Sequence, residues 1–118
     1  MLLSELAANE QADAVTRLLH GGTLVIYDGD NTPLATLKFA GRAFPPASGG
    51  SAVANPLPPD TNAEASGTAA QFRCFSAKGA LVLEGTAGGP GSELVLNSPE
   101  IRAGAEVSVD EFRFTVRR

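Results

Sequence analysis

Past Gly21-Gly22 the apolar residues of this chain stop recurring every three or four positions and begin to alternate. This change of period limits the chain to one helix followed by a domain of short strands. Before the glycines, Ala7 to Leu19 holds good helix formers and no Gly or Pro. Ala8, Ala12, Val15 and Leu19 line up as one apolar stripe, which Leu18 widens, so a helix is predicted over about 7–20. Ser4 or Asn9 caps its start, and Gly21-Gly22 ends it in the left-handed geometry that glycine accepts. The stripe is short and must dock on something to be stable.

After the glycines, Thr23–Tyr27 is a strand by its β-branched and aromatic content. Asp28-Gly29-Asp30-Asn31 is turn chemistry, and Leu34–Phe39 alternates, so the two runs form a hairpin. Phe44–Gly67 is loose, with Pro45, Pro46, Pro56, Pro58 and Pro59 around Gly49-Gly50. It reads as a long ordered connection crossing the surface, with disorder as the alternative and one short strand at Ser51–Asn55. Its prolines lack the amide a central ladder needs. Thr68–Phe75 returns to strand, placing Ala70, Phe72 and Cys74 on one face and Gln71 and Arg73 on the other. Lys78-Gly79 turns into Ala80–Glu84. Gly85–Gly91 is a glycine-rich loop, Leu94–Leu96 a further strand, and Ile101 and Ala103 pack under a turn at Gly104.

The last strand changes phase. Val107 and Val109 share one parity; Phe112, Phe114 and Val116 share the other. One strand cannot set both on one face without a break, so either a bulge near Asp110-Glu111 or a switch between two sheets is required. The whole reads as a mostly β fold: a β-sandwich or flattened antiparallel barrel of about seven strands with one N-terminal α-helix. The 118 residues form one domain, 1–118, with the β part over 23–118 and the Pro-rich connection at 44–67.

Charge and composition narrow the partners. Thirteen acidic residues against nine basic give a net charge of −4, which opposes general nucleic-acid binding. No apolar run reaches the length of a membrane span, and no signal peptide is read at the start. A single cysteine, Cys74, makes no internal disulfide, so the fold does not depend on an oxidising compartment. Synthesis in the cytoplasm is the expectation, and later export inside an assembly would leave no mark in the sequence.

No residue pattern demands catalysis, and no catalytic, cofactor-binding or metal-ligating residue is assigned. His20, the single histidine, sits at the helix C-terminus, where the dipole favours it. Cys74, within a strand, reads as a small buried hydrophobe. Asp28 to Thr32 resembles a calcium loop only superficially: Thr32, Pro33 and Phe39 fall where a ligand, the glycine and the glutamate belong. Gly85–Gly91 lacks the Lys and Ser/Thr of a phosphate loop. The pairs Asp28/Asp30 and Asp110/Glu111 read as solvated surface. Arg113, Arg117 and Arg118 make a basic edge that either opposes sheet extension or meets a partner.

Several segments in order carry a resemblance. Gly22–Gly29 with Pro33–Phe39, Asn62–Phe72, Leu94–Ser98, and Ala103–Val109 leading into Phe112–Val116 resemble small virion-associated structural proteins of tailed phages and prophages. Its middle is richer in proline than theirs. The resemblance implies a non-enzymatic structural component of the virion, binding capsid, tail or neck proteins as a decoration or cement, with a homo-oligomer possible and no cofactor. It implies residence in the virion after synthesis in the bacterial host cytoplasm. The alternative is a β module binding carbohydrate or another host-surface ligand, which the lack of Trp and the single Tyr disfavour. A small hydrolase is the third reading, and it would need a nucleophile, a base and an oxyanion site in one pocket.

Overall fold

In a computed structural model, residues 3–116 are described. One helix, α1 (Glu5–Arg17), precedes nine strands: β1 (Thr23–Tyr27), β2 (Pro33–Lys38), β3 (Ser51–Val53), β4 (Gly67–Thr68), β5 (Gln71–Phe75), β6 (Leu81–Gly88), β7 (Leu94–Leu96), β8 (Glu100–Ile101) and β9 (Val109–Thr115). Seven of them make one curled sheet in the order β2-β1-β5-β6-β7-β9-β3, a half-barrel; β4 and β8 pair separately. The mostly β fold with one N-terminal helix is therefore as the sequence predicts. The sheet is mixed, because β6 and β7 run parallel where they meet.

The helix starts at Ser4, whose Oγ accepts the Ala7 amide at 3.1 Å, so of the two candidate caps Ser4 is the one used. It ends three residues earlier than predicted. Leu18 caps it, and the chain turns through Leu19, His20 and Gly21, with Gly21 at φ +71°. Ala8, Ala12 and Thr16 form the buried face, packed towards β3 and β9. Only small side chains on this face allow such an approach. Leu18 does not widen the stripe: it is 57% exposed, and Val15 is only half-buried.

The β1–β2 hairpin forms as read, with Leu34 as an extra residue in its register. Leu34 and Ala35 are consequently both buried. The outer edge of β2 is covered by the Pro-rich connection: Glu64 donates to the Leu34 carbonyl at 2.8 Å, and Asp60 accepts the Thr36 amide at 2.9 Å. Elsewhere Asp60 bridges to Val107 and Ala63 to Ala105 and Gly104. The connection is thus ordered by backbone bonds, and its five prolines point out to solvent.

The predicted break in the last strand is a bulge. Val95 pairs with Glu111 and Leu96 with Val109, which leaves Asp110 unpaired. Phe112 is thereby turned inward while Val107 stays buried. Its ring lies at the centre of an aromatic core: 5.2 Å from Phe72, 5.6 Å from Phe44 and 6.4 Å from Phe39, centroid to centroid.

Further expectations are corrected. The run Thr68–Phe75 is two strands, because Thr68 pairs with Glu100 in the small sheet and Gln71 with Tyr27 in the large one. The break turns Ala69 inward and leaves Ala70 exposed, off the face of Phe72 and Cys74. Gly85–Gly88 is strand, not loop: a Cβ on Gly85 would lie 2.9 Å from the Phe72 ring and 2.7 Å from Glu93, so glycine serves close packing there. Ala103 is exposed, and only Ile101 packs inward. The last strand is not an edge, since β3 pairs with it on the side away from β7. Arg113 reaches Ser51 Oγ at 3.5 Å, and the expectation for Arg117 and Arg118 lies outside the described residues.

Candidate interaction surfaces

The residues singled out for chemistry are held by structural roles. His20 lies past the helix end, and its Nδ1 accepts the Ala43 amide at 2.9 Å. In the neutral ring the proton then sits on Nε2. This bond, more than the helix dipole, fixes the ring and ties the helix end to the Pro-rich connection. Asp28 Oδ1 accepts the amides of Asp30 and Thr32, each at 2.9 Å, which shapes the hairpin turn. Asn31 takes the left-handed conformation at φ 65° that this turn needs. Among the described residues no group of three or more His, Cys, Asp or Glu side chains is placed to hold a metal ion. No helix among them is long and apolar enough to cross a membrane.

Cys74 is fully buried in the core, and burial pushes its thiol far above the ordinary value. The native protein is expected to resist a thiol reagent at pH 8 and to label fully once unfolded; fast native labelling would contradict this burial. The sign of the pH dependence follows. A folded-state value above the unfolded one gives stability that is complete below the ordinary thiol value of 9.0 and is lost as pH rises beyond it. Relative to Cys74→Ala, the wild type should lose up to about 1.4 kcal/mol per pH unit above that point, measured by urea unfolding at pH 8 and 10.5.

Two of the concave regions are bounded by segments that the fold brings together from far apart. The first is a polar cleft of about 190 Å³ between α1 and the start of the Pro-rich connection, lined by Asp13, Arg17, His20, Arg42, Pro45 and Pro46. Side chains of the helix hold the connection by its backbone: Asp13 Oδ1 accepts the Ala47 amide at 2.8 Å, and Asn9 Oδ1 accepts that of Gly50 at 2.7 Å. Helix and connection are thus one continuous surface. It exposes Pro45 and Pro46; Leu6 (73%) is exposed near the start of α1 and Leu18 (57%) at its C-terminal cap.

The second is a cleft of about 390 Å³ between β6 and β9. It exists because β7 is short and pairs with β6 only at Ala87 and Gly88. Phe72 and Phe112 floor it; Leu83 and Phe114, both half-buried, line its sides. Glu84, Glu93, Glu111 and Arg113 stand around it. Glu84 is also bonded to Arg73 at 3.3 Å, and Arg73 lies over the Tyr27 ring at 4.7 Å on the other face of the sheet. Neither cleft was legible in the sequence, because each is bounded by segments far apart along the chain.

No protein-family model, curated protein or solved structure matches this chain.

Proposed function

We infer that this chain is a non-enzymatic structural component of a tailed-phage virion, binding neighbouring capsid, tail or neck proteins through its surface. The observation that carries the reading is the surface that α1 and the Pro-rich connection build together. Pro45 and Pro46 are exposed on the connection and Leu6 and Leu18 at the two ends of the helix, while Asn9, Asp13 and His20 accept backbone amides that hold the connection in place. Apolar groups on an ordered backbone dock with little further loss of conformational entropy. The resemblance of the segments from Gly22 onward to virion-associated proteins supplies the particle as the place where such docking occurs. His20 and Cys74 are both committed to the fold, which agrees with a non-enzymatic role.

The test is quantitative mass spectrometry of purified particles carrying wild type or the double variant Leu6→Asp/Leu18→Asp. Both side chains are exposed, so the variant should melt within a few degrees of wild type. Its copy number in particles should fall at least tenfold. A protein absent from wild-type particles would overturn the reading, and so would glycan-array binding that this variant abolishes.

A further inference from the structure

We propose that the gap between β6 and β9 accepts an extended, basic segment of another polypeptide, which adds as a strand along the open edge of β6. Residues from both faces of the sheet line this gap: Phe72 and Leu83 from the core face, Glu84 from the face that carries Arg73. It is therefore an interruption in the sheet and not a hollow on one side of it.

The backbone of β6 is prepared for a neighbour. Ala87 donates inward to the Ala70 carbonyl at 3.1 Å, whereas the adjacent Thr86 amide points the other way, to Glu93 Oε1 at 3.1 Å. Strand geometry alternates this direction at each residue, so Glu84 also turns its amide and carbonyl towards the gap. Leu81–Thr86 pair with β5 on one side and with no strand among the described residues on the other. The Glu93 carboxylate stands where the carbonyl of an added strand would accept the Thr86 proton. Gly85 makes this possible, since any Cβ there would collide with that carboxylate. Across the gap, β7 begins only at Leu94, opposite Phe112, so it offers Arg113–Thr115 of β9 no partner on that side.

Charge and shape specify the occupant. Three glutamates, Glu84, Glu93 and Glu111, and one arginine, Arg113, line the gap and all four are exposed; Glu84 is paired with Arg73, so Glu93 and Glu111 carry the acidic surplus. An incoming strand with Lys or Arg at alternate positions meets them, and its intervening apolar residues meet Phe72, Leu83, Phe112 and Phe114. Backbone bonds to β6 supply affinity that does not depend on the segment's full sequence. The inference concerns a different surface from α1 and does not require residence in a particle.

The experiment uses the whole protein and a seven-residue peptide alternating lysine and valine, followed by calorimetry and by amide chemical-shift mapping. Saturable binding is expected, with the largest shifts at Leu81–Thr86 and Arg113–Thr115. N-methylation of alternate peptide amides should weaken binding at least tenfold, as should the exposed double substitution Glu84→Lys/Glu111→Lys, whose fold is checked by its unchanged melting curve. A glutamate–valine peptide should not bind. Equal binding of the N-methylated peptide would overturn strand addition in favour of simple charge attraction. Absence of saturable binding, shifts confined to β3, or a gap filled by a second copy in a concentration-dependent dimer would each overturn the proposal as well. None of these outcomes bears on whether the protein is found in particles.

Discussion

Gly22→Ala is expected to destabilise this protein by about 3 kcal/mol or more, enough to leave a substantial unfolded fraction. A Cβ at this position would lie 2.0 Å from the Phe75 carbonyl oxygen and 3.2 Å from that of Leu19. Both neighbours are backbone and cannot rotate away. The Phe75 carbonyl belongs to β5, whose Phe75 pairs with Thr23 of β1. Gly22 also accepts the Phe39 amide at 2.9 Å and donates to Leu19 at 2.9 Å. Relief of the clash would have to move the junction of helix and sheet. Gly41→Ala is the control, because no atom lies within 4 Å of its added Cβ and its φ is ordinary; it should be neutral or slightly stabilising. Urea unfolding of both variants decides the matter. A Gly22→Ala midpoint close to that of wild type would show that the close approach of Gly22 to β5 is not a constraint on the fold.

Phe112→Ala should cost about 3–5 kcal/mol, the range for an aromatic ring removed from a packed core. Phe112 is 3% exposed and meets Phe39, Phe44 and Phe72. These rings come from β5, β9 and the start of the connection to β3, so one truncation loosens both ends of the half-barrel. Phe112→Leu keeps most of the volume and should cost less than half as much. Chemical denaturation gives both values. If Phe112→Ala costs under 1 kcal/mol, the aromatic cluster does not organise the core. Phe112 also floors the β6–β9 gap, so Phe112→Leu should weaken peptide binding there even where stability is largely retained.

Local chemistry made several features legible in the sequence. The Ser4 cap, the β1–β2 hairpin and the burial of Cys74 each follow from residues close along the chain; the helix stops at Leu18, before the two glycines read as its stop. The bulge at Asp110 is the sharpest case. Two apolar sets of opposite parity in one strand require an extra residue, and the strand carries one. The structure departs from this local pattern chiefly where distant segments meet. Ala70 has the parity of a core residue but loses it because β4 leaves the main sheet to pair with β8. Leu18 has the spacing of a core residue but lies where the helix has already ended. His20 stands near the helix C-terminus, yet its ring is fixed by an amide twenty-three positions away.

The sequence by itself determined that this is one helix followed by short, turn-separated strands, because hydrophobic period and turn chemistry are written within a few residues. Only the tertiary structure decided how the strands are ordered. Nothing in the run Gly85–Gly91 announces that β6 continues into it as far as Gly88, or that it there meets β7 in parallel for only two residues. That short meeting opens the gap to β9 and exposes the edge of β6. Side-chain periodicity specifies which face of a strand is buried; it carries little information on which distant strand lies beside it, since that choice depends on the packing of the whole core.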